Sequence, residues 1–279
     1  MKCFIDRHLT SSVSNTGAFR RARTAIVLPF ILSFTLLNPA SGEVGRGNET
    51  VENFTAAKKL AYQIHNFWGK TLYCRCGYVG KSVDWQSCDY KPASANRSRA
   101  KRIEIEHVVP AENFGRSFKE WREGDPEKCR TKRKKYKGRR CAEKNPTFSL
   151  MEADLYNLFP EVGEVNAVRS NYSMAEIGTV GAIAGTTFGG CKARMFQNKF
   201  EPMPFAKGTV ARTYAYMEWA YPGHGIISEK NRKLFDAWNA QYPVEAWECE
   251  RYQKIKAIQK NENPFLKEGC EKAGFGGKI

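Results

Sequence analysis

The chain lacks the short motifs that mark several common enzyme classes. There is no GxxxxGK[ST] loop to cradle nucleotide phosphates, no HExxH zinc site and no GxSxG nucleophile elbow. Nothing resembles a helix-turn-helix or a single-strand stacking motif, so base-specific reading is not expected. No internal repeat or Pro/Ser-rich linker divides the chain, and no heptad or exposed apolar stripe suggests a partner subunit. The apolar stretch from Ala25 to Leu37 is too short for the roughly 20 residues that span a bilayer. Acids are also scarce: 29 Asp and Glu face 45 Lys and Arg, for a net charge of +16 over 279 residues. Such an excess points to a polyanionic partner.

What is present begins with an export signal. Arg20, Arg21 and Arg23 precede the Ala25–Leu37 stretch, and Pro39, Ala40, Ser41 and Gly42 follow it. Positive flank, short apolar core and small residues describe a cleaved secretory signal over residues 1–42. Lys2, Arg7, Arg20, Arg21 and Arg23 against Asp6 account for +4 of the +16. The positive charge therefore belongs mainly to the mature chain, residues 43–279.

Of nine cysteines, Cys3 leaves with the signal. The remaining eight are Cys74, Cys76, Cys88, Cys129, Cys141, Cys191, Cys249 and Cys270. An even count in an exported chain predicts disulfides, up to four, with the connectivity open. The Cys74-Arg75-Cys76 spacing with Cys88 is not a usual zinc ribbon, and a catalytic thiolate would have to stay unpaired.

The mature chain reads as a single α+β domain, mainly helical with a few strands. Val51, Phe54, Leu60, Ile64 and Phe67 recur at helical spacing, and Gly69 ends that run. Thr71–Asp89 reads as irregular strand and turn, and Arg102–Val109 as a half-buried strand with Ile103 and Ile105 on one face, Glu104 and Glu106 on the other. A polar insertion covers residues 115–145. Met151–Leu158 reads as a short helix or turn feeding a loop broken by Pro160, and Gly163 opens a helix. Gly178–Gly190 is glycine-rich loop or irregular strand. Further helices are expected over Thr209–Tyr221, after an N-cap at Ser228, and from Val244 to Gln259, the last.

The most informative segment is RIEIEHVVPAENFG, Arg102–Gly115. It places a carboxylate, Glu106, beside an imidazole, His107, just before Pro110 stops the strand. A hard oxygen ligand next to a base is what metal-assisted hydrolysis needs. Of the other mature histidines, His65 lies on the apolar side of the first helix and His224 in a Pro-Gly-His-Gly turn. Downstream, MEADLYNLFPEVGEVNAVRSNY, Met151–Tyr172, holds Glu152, Asp154, Asn157, Glu161, Glu164, Asn166, Arg169 and Asn171 in an otherwise basic protein. A third segment, KCRTKRKKYKGRRC, Lys128–Cys141, carries nine lysines and arginines and no acid. It reads as a phosphate-binding surface that includes Lys132, Arg133, Lys134, Lys135 and Lys137, made rigid if Cys129 pairs with Cys141.

These segments closely resemble the bacterial endonuclease I family of periplasmic or secreted nucleases. So do TLYCRCGY at Thr71–Tyr78, DWQSCDY at Asp84–Tyr90, ARTYAYM at Ala211–Met217, LFDAWNAQYPVEAWECER at Leu234–Arg251 and NENPF at Asn261–Phe265. The resemblance covers nearly the whole mature chain. It implies a ββα-metal (His-Me finger) core and non-specific cleavage of DNA, and of RNA, leaving 5′-phosphates. It also implies His107 as general base, Glu106 and Asn166 holding one Mg²⁺ (Mn²⁺ or Ca²⁺ as substitutes), and Asn157 behind the site orienting His107 or the metal loop. Either Arg139 or Arg140 would stabilise the phosphate. The basic insertion is longer than the family pattern, which leaves that arginine open. Glu152 is a candidate for orienting the site, outside the assigned set. A periplasmic or secreted monomer without stable membrane association is expected. The rival from another class is a secreted polyanion-binding protein without catalysis.

Overall fold

The computed structural model describes residues 45–93 and 97–276. The expected signal over residues 1–42 lies outside them. Helix α1 (Phe54–His65) starts where the Asn53 side chain accepts from the Ala56 amide at 3.0 Å, and buries Ala57, Ala61, Ile64 and His65. A small hairpin follows, β1 (Gly77–Val79) against β2 (Ser82–Asp84). After the short helix α2 (Arg97–Ala100) comes β3 (Ile103–His107), and then α3 (Ala111–Gly115) and α4 (Lys119–Arg122). The basic insertion leads into α5 (Arg139–Ala142), and α6 (Pro146–Glu152) is capped by Asn145 with proline at its first position.

A 3₁₀ turn at Leu155–Asn157 delivers the chain to β4 (Leu158–Val162), antiparallel to β3 with Glu106 opposite Phe159 and His107 opposite Leu158. Helix α7 (Gly163–Arg169) follows directly. The expected break at Pro160 is not there. Pro160 sits inside β4, opposite Ile105, and its carbonyl accepts from the Leu72 amide at 3.0 Å. With β3 as its only strand partner, β4 tolerates a residue that has no N–H.

The second half holds a four-stranded sheet in the order β5 (Ser173–Met174), β8 (Lys199–Glu201), β7 (Cys191–Phe196), β6 (Thr186–Phe188), with helix α8 (Thr179–Ala184) beside it. The glycine-rich stretch thus contains both a short helix and a strand. Helix α9 (Pro204–Ala220) is buried along most of its length and packs on α10 (Glu229–Gln241) and α12 (Pro264–Lys272). It begins earlier than expected because Pro204 fits the first turn. Helix α11 (Ala246–Gln259) carries a capping box of Glu245 and Glu248. It is not the last helix, contrary to expectation: Asn263 caps α12 with Pro264 behind it. Four disulfides join Cys74 to Cys191, Cys76 to Cys88, Cys129 to Cys141 and Cys249 to Cys270.

Candidate active site

Strand β3 is not half-buried in the expected way. Ile103 and Ile105 are buried, but Glu106 and His107 are too, at 3% and 8% exposure, and only Glu104 stays partly in solvent. Both sides of the strand's end are therefore covered. Glu106 receives the Tyr73 hydroxyl at 3.1 Å and the Arg169 guanidinium at 3.3 Å, both on Oε1. Burial pushes the Glu106 carboxyl up to about 7, and Arg169 opposes that rise.

His107 is held from the other side. Its Nε2 lies 2.8 Å from the carbonyl oxygen of Glu152. A carbonyl only accepts, so Nε2 carries the proton and Nδ1 the lone pair. Among the described residues Nδ1 has no hydrogen-bond partner. Burial and the nearby Arg139 lower the pKa of the ring to about 3, so the imidazole is neutral at physiological pH. The Phe54 ring packs at 4.6 Å from it.

Glu106, His107, Asn166 and Arg139 all line one open cavity of about 400 Å³, together with Phe54 and Trp121. Arg139 binds the Glu152 carboxylate and lies 5.0 Å over the Phe54 ring. Its neighbour Arg140 points elsewhere, 4.6 Å over Tyr136, and does not line the cavity. Asn157 also stays outside the cavity. Its carboxamide accepts from the Val109 amide at 2.7 Å and donates to the Val109 carbonyl at 2.9 Å, fixing the backbone just past His107. Asn166 reaches the cavity because α7 turns directly off β4 at Gly163. A Cβ there would lie 2.7 Å from the Arg99 carbonyl oxygen, so the close approach of α7 to α2 requires glycine.

Two positioning residues, Arg169 and Glu161, carry no role in the sequence analysis, and Glu152 only that of a candidate. Arg169 is fully buried and donates to the carbonyls of His107 at 3.0 Å and Val108 at 2.5 Å while pairing with Glu106. Glu161 accepts the Tyr73 amide at 2.5 Å, which holds Tyr73 where its hydroxyl meets Glu106. Glu152, the candidate for orienting the site, links the two halves: its carbonyl holds His107 and its carboxylate holds Arg139. The signal that was available was composition, since acids buried in so basic a chain need partners. Asp154 and Glu164 serve packing instead, taking hydroxyls from Tyr216 and Tyr221, and from Tyr90.

The five basic residues Lys132, Arg133, Lys134, Lys135 and Lys137 are exposed and outside the cavity. They belong to a small hairpin in which Arg130 pairs with Lys135 and the Tyr136 amide donates to the Cys129 carbonyl at 2.9 Å. The Cys129–Cys141 disulfide closes it, as the spacing had suggested. The Gly138 amide, bonded to the Trp121 carbonyl at 3.0 Å, fastens its base to the cavity wall.

All eight cysteines of the described chain are oxidised in pairs, and among the described residues no three or more His, Cys, Asp or Glu side chains converge as a metal cage. A structural zinc site therefore has no ligands there. The cavity offers oxygen donors instead, with a neutral base and a guanidinium beside them, a set of groups suited to phosphodiester hydrolysis.

The profile of the Endonuclease I family matches residues 51–270. An extracellular deoxyribonuclease of Aeromonas hydrophila is 37% identical over 253 residues, covering 86% of this chain and 98% of the relative. A periplasmic deoxyribonuclease of the same species is 36% identical over 231 residues, 80% of this chain and 89% of the relative. Endonuclease-1 of Buchnera aphidicola subsp. Acyrthosiphon pisum is 38% identical over 230 residues, 80% and 84%. The chain belongs to the endonuclease I family. It is a nuclease of the periplasm or the extracellular medium.

Proposed function

We propose that the protein is a metal-dependent endonuclease that hydrolyses DNA, and RNA, without sequence specificity and leaves 5′-phosphates. The supporting observation is the tautomer of His107: its protonated nitrogen is tied to a backbone carbonyl, inside a cavity shared with Glu106, Asn166 and Arg139. In this reading β3, β4 and α7 form the ββα-metal core.

Glu106 and Asn166 would hold one Mg²⁺, with Mn²⁺ or Ca²⁺ as substitutes. The fit is chemical: one carboxylate and one amide are hard oxygen donors, too few for a full protein cage, and suit a cation that keeps several waters. When bound, such an ion polarises the phosphoryl oxygen and stabilises the departing 3′-oxygen. His107 Nδ1 takes the proton from the attacking water. The incoming phosphodiester brings negative charge beside the ring, which raises its pKa toward a range useful for a base. Arg139, anchored by Glu152, donates to the phosphate as charge builds on it, and the basic hairpin holds neighbouring phosphates. The enzyme acts as a monomer without stable membrane association.

The test is plasmid cleavage by oxidised mature protein, with Mg²⁺ or EDTA, beside His107→Ala. Cleavage only with metal, and a folded variant slower by about 10²-fold or more, is expected. Binding of plasmid without cleavage under any divalent cation would favour a polyanion-binding protein instead.

A further inference from the structure

A second, smaller pocket adjoins the cavity of Glu106 and His107. It measures about 110 Å³ and shares Pro110 and Asn171 with the larger cavity as a common wall. On its other side Ser173, Ser228 and Asn231 also line a third, more open cavity of about 430 Å³ that contains Lys199 and Lys230. Shared walls thus place three spaces in series, the first of them lined by Glu106 and His107.

Amide and hydroxyl side chains line much of the middle pocket, beside Pro110, Tyr172, Tyr214 and Ile226. Asn113, Asn171 and Asn231 contribute carboxamides, and Ser173 and Ser228 contribute hydroxyls. Each carboxamide nitrogen already donates within the protein: Asn113 to the Ile226 carbonyl at 3.2 Å, Asn171 to Glu112 at 2.6 Å and Asn231 to the Met174 carbonyl at 3.4 Å. Each carboxamide keeps its oxygen as an acceptor and one further N–H as a donor, beside two hydroxyls. No lysine or arginine lines this pocket, so its walls do not suit a phosphate. Neutral amides and hydroxyls, offering both donors and acceptors, match the polar edge of a base and the oxygens of a sugar. Cations return one space further on, and among the described residues neither Lys199 nor Lys230 forms an ion pair.

We infer that this series of spaces is a trench that holds the strand on one side of the scissile phosphate. The adjacent nucleotide turns its sugar and base into the pocket between Asn113, Asn171 and Asn231, and the next phosphate meets Lys199 and Lys230. This rests on the nuclease reading above and names the form of the bound strand: a nucleotide turned out of the stack, which single strands, nicks and ends supply at the lowest cost.

The experiment uses oxidised mature protein and end-labelled single strands of about two to about eight nucleotides. Binding is read by fluorescence anisotropy in EDTA, and cleavage separately with Mg²⁺. Wild-type affinity should rise about tenfold as the strand is extended through the trench. Asn231→Leu should remove most of that rise. Lys230→Glu should remove only the part contributed by the longer strands. The trench is overturned if affinity does not rise with length, if both variants keep the wild-type rise, or if they lose affinity equally at every length. A length-dependent rise lost in the variants, with no cleavage under any divalent cation, leaves the trench standing and removes the nuclease reading.

Discussion

His65 and His107 are both buried, and burial lowers the pKa of each to about 3, yet they do different work. Both nitrogens of His65 are occupied. Nδ1 donates to the Ala61 carbonyl at 2.7 Å, and Nε2 accepts from Arg251 at 2.9 Å, with the Phe159 ring at 5.5 Å. A proton on Nε2 would face a guanidinium, so His65 is locked neutral. His107 lines a cavity and has one nitrogen tied, the other having no hydrogen-bond partner among the described residues. The consequence for His65 is a pH effect on stability. Its folded pKa lies below the ordinary 6.5, so unfolding takes up a proton below that pH and the histidine's contribution is lost as pH falls. The stability difference between wild type and His65→Gln should shrink by about 1.4 kcal/mol per pH unit from pH 6.5 toward pH 4, read by urea unfolding.

Two neighbouring arginines allow a sharper test of the site. Arg139 lines the cavity and Arg140 does not. Arg139→Ala should lower kcat by about 10²-fold, the size of effect seen when one charge-stabilising donor is removed. Arg140→Ala should change kcat by less than about threefold, within the range of an exposed contact. Steady-state cleavage of a fluorescent oligonucleotide decides between them. Equal losses would mean that the cavity arginine is not the one that meets the phosphate.

At the scale of elements, the site depends on how α7 leaves β4. Gly163 has no room for a side chain against Arg99 and Glu104. Gly163→Ala should cost about 1–3 kcal/mol by overpacking and displace Asn166 and Arg169 with the helix. Thermal unfolding with cleavage rates would show both losses together. The basic hairpin is a separable element, because its cations lie outside the cavity. Replacing Lys132, Arg133, Lys134 and Lys135 by glutamine should reduce the log–log salt slope of DNA affinity by about 0.9 for each phosphate contact removed. A slope equal to wild type between low and physiological salt would show that the hairpin is only a solvated loop.

At the scale of the whole molecule, Cys74–Cys191 spans 117 residues and ties the segment bearing Tyr73 to the four-stranded sheet. A crosslink closing so long a loop contributes about 4–5 kcal/mol in the chain-entropy account. Loss of that bond lets Tyr73 move away from Glu106. Thiol treatment should therefore lower both denaturant midpoint and activity, followed by circular dichroism and plasmid cleavage. Activity that survives full reduction would show that the fold holds the site without its disulfides. An export nuclease that matures only on oxidation would also spare the host's own nucleic acid.

The sequence by itself determined the residue types of the candidate site and their setting. Scarce histidine, a Glu106-His107 pair, eight paired cysteines and a strongly basic chain follow from residue types and spacing. Helices α1, α9, α10 and α11 were legible because local caps and 3.6-residue periodicity act within the chain. Tertiary structure alone decided the rest. That Glu106 is buried against Arg169 and Tyr73, that Glu152 ties His107 to Arg139, and that Arg139 rather than Arg140 lines the cavity are contacts between segments far apart in sequence. Pro160 joined a strand for the same reason: a neighbouring strand and the Leu72 amide accommodate what local propensity opposes. The cysteine pairing likewise needed the fold, because spacing limits how many bridges form but only proximity selects which sulfurs meet.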